Sequence, residues 1–391
     1  MSSQISGSSR EGGSADLIVV GGGLIGLSCA WRAAEAGMDV LVLDAGGSER
    51  ASEVAAGMIA PIGEASWGEE ALLAASLMSA DRWPDFADEL SAASGMDIPY
   101  RRCGAVHVGL DRDELAELRR IHGLHGDLDL SSEWLTAGAC RRLEPGLTPD
   151  VVGGFAAPGE AEVDPRVVLE ALGIAARRAG VRVLERRVER VADVVAGSTA
   201  SVEGVTLEGG EEIIGHTVLL AAGVRIGALA PDGVTLPVRP MKGEVVRLRA
   251  RAGERPCERI VVGERFYVVP RAGEEVVVGA TVEDRGYDVR VTAGGVHELL
   301  REAYRALPEI AELELVECAA GLRPTTPDNA PIVGPTSVDG LLVAGGHHRN
   351  GVLLAPITAD AIGALLRGED VPSSIAALAP GRFQSAARAH A

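Results

Sequence analysis

Aromatic residues are scarce in this chain: Phe, Trp and Tyr together make up 3% of its 391 residues. Hydrophobic residues still account for 47%, so Ala, Val and Leu must fill most of the core. Cysteines are few and scattered, at positions 29, 103, 140, 257 and 318. None forms C-x-x-C, so neither a disulfide framework nor a zinc site is implied, which fits a reducing compartment. No apolar stretch approaches the roughly 18 uninterrupted residues of a membrane span. Residues 1–15 are rich in Ser and Gly and lack an apolar centre. They read as a disordered tail rather than a signal peptide. A soluble cytoplasmic protein is the expectation. Positive charge is also short, with a formal net charge of −19. That balance argues against a nucleic-acid partner and against an anionic membrane surface. An anionic substrate would need a local cluster of arginines.

What is present is organised around residues 17–44. An apolar, β-branched run at 17–20 has the length of a buried parallel strand. Gly21, Gly23 and Gly26 follow it in G-x-G-x-x-G spacing. The first glycine permits a tight turn. The second lets a pyrophosphate approach the backbone, and the third lets helix and strand pack closely. The helix that follows aims free N–H groups and its positive dipole end at that pyrophosphate. A second apolar strand, 39–43, ends at Asp44, where an acid holds ribose hydroxyls. Strand, turn, helix, strand and acid together predict a dinucleotide site. They do not separate FAD from NAD.

Further along, residues 51–61 are mostly small and suit a backbone lying against something flat. Helices are expected at 68–95, 111–123 and 134–143, with a strand at 101–109. His107, His122 and His125 are too isolated to read as ligands. Asp164 and Pro165 mark a helix start, and that helix closes at Gly180. Strands are expected at 181–184, 188–195, 201–207, 211–214 and 217–223, with a turn at Gly209-Gly210. From residue 234 the chain turns β-rich, with strands at 244–249, 259–262, 266–269 and 275–280 suggesting one antiparallel sheet. A helix at 296–307 and a strand at 313–319 follow. Residues 323–328 read as a loop, 332–334 and 341–344 as the last strands, and 352–366 as a final helix after a second glycine-rich turn. The expected architecture is α/β (α+β): a Rossmann-like nucleotide domain built from separated segments, carrying an inserted, mainly antiparallel substrate domain. The division runs 16–62, 145–232 and 323–391 for the first, 63–144 and 233–322 for the second.

Several stretches are more specific than the fingerprint. They are Ala55-Ala-Gly-Met58, Met241-Lys-Gly-Glu244, Tyr267-Val-Val-Pro-Arg271 with Gly279-Ala-Thr281, Ala320-Gly-Leu-Arg-Pro324, and Gly346-His-His-Arg-Asn-Gly-Val-Leu-Leu-Ala-Pro356. On these the chain resembles the flavin-dependent amine and amino-acid oxidases of the D-amino-acid oxidase type, over about residues 16–366, and among them the glycine-oxidising branch of thiamine biosynthesis.

The resemblance implies noncovalent FAD. Leu24 and Ile25 would offer backbone to the pyrophosphate, and Asp44, here replacing the family's commoner Glu, would hold the ribose, with Ala45 beside it. Ala51 and Ser52 would lie along the nucleotide, Ala56, Gly57 and Met58 against the isoalloxazine, and Val188 against the adenine. His347, His348, Arg349, Asn350, Gly351, Val352 and Leu353 would wrap the flavin ring. A helix N-terminus there would stabilise the negative charge that reduction brings. Relatives that bind flavin covalently use a cysteine, and the stretch after Gly321 has none.

The resemblance also assigns the catalytic and substrate-binding side chains. Arg323 matches the partner of the substrate carboxylate, which a planar guanidinium grips in bidentate fashion. Arg349 matches a second arginine near the substrate, and Tyr267 a tyrosine lining the pocket. Val282 falls where the glycine-oxidising branch carries Met, which leaves pocket size open. The activity implied is oxidative deamination of glycine or another small amine. Hydride would pass to flavin N5, and O2 would reoxidise the flavin to give H2O2. The imine would hydrolyse to glyoxylate and ammonia or pass to a thiazole synthase. Homo-oligomers are familiar in the family. Three alternatives stay open: a different substrate such as sarcosine, proline or a D-amino acid; a dehydrogenase of the same fold; and a nucleotide-binding module without turnover.

Overall fold

The strand Ala15–Val20 is buried along nearly its whole length and sits in the middle of an eight-stranded sheet. A computed structural model of the chain describes residues 14–47, 50–196 and 199–388. The tail expected over 1–15 lies outside the described residues up to residue 13, and Ala15 already belongs to the strand. The main path of this first sheet runs Ile332–Pro335, Leu341–Gly345, Glu212–Leu220, Ala15–Val20, Val40–Asp44, Arg182–Glu185. All neighbours on it are parallel except the first pair. Val188–Ala196 and Thr199–Leu207 extend Glu212–Leu220 as an antiparallel ribbon. The two strands expected at 211–214 and 217–223 are thus one continuous strand.

Helix Leu24–Glu35 packs on the sheet between helices Ala355–Leu366 and Pro165–Arg178. Its buried face is Leu, Ala, Cys and Trp, so the small residues of the stretch let three helices lie close. Asp164 caps the third of these helices, accepting from the Arg166 N–H at 2.9 Å, with Pro165 at the first helical position.

The second eight-stranded sheet runs Glu314–Thr325, Arg239–Arg249, Glu275–Gly279, Tyr267–Pro270, Ile260–Val262, Ala105–Gly109, Gly153–Ala157, Glu133–Thr136. It is antiparallel except for the pairing of Ile260–Val262 with Ala105–Gly109. Helix Ala293–Ala306 covers one face of it.

Four expectations change. Residues 134–143 are not one helix: Glu133–Thr136 pairs with Gly153–Ala157, and only Ala137–Leu143 is helical, capped by the Thr136 hydroxyl. That pairing places 153–157 in the second sheet, beyond the division at 145. Residues 323–325 are not loop but the end of strand Glu314–Thr325, held by register with Arg239–Met241. The final helix starts at Ala355, after a short 3-10 turn at His348–Asn350. In all but the last a strand pairing distant in sequence overrides local propensity. Among the described residues, no helix is long and apolar enough to cross a membrane.

Candidate active site

The glycine turn has the geometry that its spacing predicts. Gly21 adopts φ +112°, and a Cβ on it would stand 2.5 Å from the Ala221 carbonyl oxygen. A Cβ on Gly26 would stand 1.9 Å from the Gly21 oxygen, so Gly26 serves close packing and does not line the cavity. Helix Leu24–Glu35 begins at Gly23 with no side-chain cap and no acid in its first turn. Its positive end therefore faces the cavity uncompensated by an acid of its own first turn. The Leu24 N–H donates to Ser52 Oγ at 3.2 Å. Asp44 ends the neighbouring strand, lines the cavity and ion-pairs with Arg50.

From this turn a cavity of about 640 Å³ extends in two directions. One arm reaches Asp44, Ala45 and residues 186–189, including Val188. The other passes Ala51, Ala56, Gly57 and Met58 to the second sheet. Gly57 has φ +75°, and a Cβ on it would stand 1.9 Å from the Val163 oxygen. Only a bare backbone lies flat there. A single cavity lined by the glycine turn, an acid at the end of the adjoining strand and a wall of small residues fits flavin adenine dinucleotide.

At the far end the second sheet contributes Arg323 and Tyr267. The Arg323 guanidinium lies on Gly243, where a Cβ would stand 2.2 Å from Nη1. Nη1 donates to the Thr281 carbonyl at 3.0 Å and the Lys242 carbonyl at 3.4 Å. Among the described residues no carboxylate pairs with it, so its charge remains available to an anion. The Tyr267 ring lies on Gly279, where a Cβ would stand 2.3 Å from Cζ. Burial pushes the Tyr267 phenol up, and Arg323 draws it partly back.

Arg349 also lines the cavity but is already engaged. Its Nε donates to Glu64 Oε2 at 2.9 Å, and Nη2 to Glu69 Oε2 at 3.0 Å and to the Glu64 carbonyl at 3.3 Å. His348 sits at φ +46°, its Nδ1 2.7 Å from Thr325 Oγ1. Burial first, then the charges of Arg349 and Arg323, push its pKa down to about 4. His347 lines the cavity with its ring nitrogen 3.0 Å from Thr358 Oγ1, and burial takes it to about 3. Both rings are neutral near pH 7.

Gly351 and Val352 line the cavity, whereas Asn350 and Leu353 do not. They face a small crevice with Glu69, Leu72 and Ser76. The Leu353 carbonyl is taken by Ser79 Oγ at 2.6 Å and Trp83 Nε1 at 3.0 Å. The 3-10 turn rotates these two residues away. Sequence reasoning missed Arg50, Glu64 and the structural glycines 243 and 279. The glycines stood inside motifs already singled out, whereas nothing local marks Arg50 or Glu64.

The parallel sheet with its glycine turn, joined by one cleft to an arginine on an antiparallel sheet, defines a two-part dinucleotide-dependent oxidoreductase. Comparison with known proteins sharpens this: the FAD dependent oxidoreductase model of the DAO family matches residues 16–365, and the chain belongs to that family. Its cofactor is FAD. Glycine oxidase of Geobacillus kaustophilus is 33% identical over 351 residues, covering 88% of this chain and 90% of the relative. The crystal structure of glycine oxidase from the same species superposes with a TM-score of 0.85, at 31% identity, over 94% of this chain and 98% of that one. The bifunctional protein ThiO/ThiG of Synechocystis sp. is 33% identical over 373 residues, covering 94% of this chain. The chain spans about half the length of such bifunctional relatives, 54% in this case.

Proposed function

We propose that the chain oxidises glycine, or a close small amino acid, to its imine. The observation that carries this reading is Arg323: a guanidinium oriented by two carbonyls, with no acid on it, in the same cavity as the glycine turn. Arg323 binds the substrate carboxylate through its planar fork. Tyr267 closes the pocket beside it. Together they fix the α-carbon against the flat wall at 56–58, and orientation is the protein's main contribution. Bound FAD supplies the electron acceptor, which oxygen restores with formation of hydrogen peroxide. His347 and His348 are neutral and hydrogen-bonded to threonines, and Glu64 is held by Arg349. The substrate amine must therefore arrive uncharged rather than lose its proton to one of these groups.

The relatives named ThiO/ThiG join a segment like this chain to a second one, which supports a thiazole-forming enzyme as consumer of the imine. A cytoplasmic location accords with that partner.

The test is the absorbance spectrum of the purified protein under anaerobic conditions, before and after glycine. Bleaching of an oxidised flavin band is expected; a band that persists with glycine and other small amines refutes the reading. An N-substituted glycine is a second candidate, because Val282 lines the cavity, is 70% exposed and leaves that wall low. Faster bleaching by sarcosine than by glycine would favour it.

A further inference from the structure

Lys242 is the only lysine in the sequence; every other position of the Lys and Arg class is arginine. It is also among the most deeply buried charged groups, 2% exposed. It does not line the cavity, since Gly243 presents the cavity face of this strand. Its Nζ lies 2.5 Å from Glu244 Oε1 and 3.4 Å from Glu283 Oε1. Glu244 is wholly buried and accepts in addition from the Thr292 N–H and hydroxyl, at 3.0 and 3.1 Å.

These contacts close a loop around Thr281. The Glu244 N–H donates to Thr281 Oγ1 at 2.9 Å, and that hydroxyl donates to Glu283 Oε1 at 3.0 Å. Backbone bonds tie Lys242 and Glu283 in both directions, at 2.9 and 3.0 Å. The two carbonyls that orient Arg323 belong to Thr281 and Lys242. The residues that aim the arginine are thus the residues that the lysine clamps.

We infer that Lys242 is a positioning residue for Arg323, fixing the 281–283 segment so that the guanidinium fork faces the substrate carboxylate. The inference rests on the reading of Arg323 as the carboxylate anchor. A compact ammonium with three donors fits between two carboxylates in a closed space. A planar guanidinium there would have to push Glu283, and with it Thr281, outward. That requirement explains why the one lysine of an arginine-using chain stands here.

The experiment compares the flavin-loaded Lys242→Arg, Lys242→Met and Arg323→Ala variants with the parent. Kinetics of glycine oxidation give KM and kcat separately. Acetate, a carboxylate that cannot be oxidised, gives a binding constant through its perturbation of the flavin absorbance. Flavin content and Tm monitor the fold. Lys242→Arg is expected to raise KM and the acetate Kd by roughly tenfold or more, with a smaller change in kcat and flavin retained. Lys242→Met combined with Arg323→Ala should be no worse for acetate than Arg323→Ala alone, because both act through one contact. Parent-like KM and acetate Kd in Lys242→Arg, alongside a raised Kd in Arg323→Ala, would overturn the inference. So would additive effects in the double variant. If Arg323→Ala itself binds acetate normally, the anchor reading falls, and the role of Lys242 with it.

Discussion

The guanidinium of Arg323 rests directly on Gly243, on the neighbouring strand, in the space that any side chain at 243 would fill. Gly243→Ala should therefore displace the arginine. We expect KM for glycine to rise roughly ten- to a hundredfold with FAD still bound. Steady-state kinetics with a flavin absorbance check decide the point; an unchanged KM would mean that the arginine swings clear at no cost.

Asp44 pairs with Arg50 and lines the nucleotide arm of the cavity. If Asp44 is the ribose acceptor, as its place at the strand end proposes, Asp44→Ala should weaken FAD binding by roughly ten- to a hundredfold, the loss of a charged hydrogen bond. Titration of apoprotein with FAD, followed by flavin fluorescence, measures it. An unchanged constant would confine Asp44 to holding Arg50.

Gly57 combines a left-handed backbone with no room for a Cβ beside the Val163 oxygen. Gly57→Ala should cost about 2 kcal/mol of stability or more. Urea unfolding of the variant against the parent gives the value, and a loss near zero would show that the strand Ala161–Glu162 yields.

Glu160 is wholly buried, with Oε1 accepting from the Gly63 N–H at 2.5 Å. Burial pushes its carboxyl up to about 8 from an ordinary 4.5. A raised acid pKa means that the folded state holds the proton more tightly than the unfolded one. Its contribution to stability is full below 4.5 and is lost as pH rises through about 8. Glu160→Gln should flatten this alkaline loss, so that Tm falls less than in the parent between about pH 5 and about pH 9. Parallel curves would count against it.

His347 gives the opposite limb. Burial lowers it from 6.5 to about 3, so its contribution is present above 6.5 and lost as pH falls toward 3. His347→Asn should reduce the drop in Tm between about pH 7 and about pH 4. An unaltered acid limb would place the sensitivity in the other buried rings, such as His107.

The nucleotide half was legible because its signals are local. Gly21, Gly23 and Gly26 act within one strand–turn–helix unit, and Asp44 ends the adjoining strand. The family motifs likewise brought Arg323 and Tyr267 forward. What escaped depends on partners far away in the chain. Arg349 was expected near the substrate, yet its two acids come from residues 64 and 69. Asn350 and Leu353 stood in a continuous motif, but the turn at His348–Asn350 points them elsewhere. Residues 134–136 read as helical alone and join a strand because Gly153–Ala157 offers them an edge.

The sequence by itself determined the dinucleotide turn, because it rests on residue types at fixed short spacings, and its longer motifs carried the resemblance that implied the family and its flavin. Only the tertiary structure decided which arginine keeps its charge for a ligand and what aims it. Arg323 is left with carbonyls while Arg349 is matched by carboxylates. That difference is electrostatic and arises only when segments distant in the chain are brought within hydrogen-bonding distance.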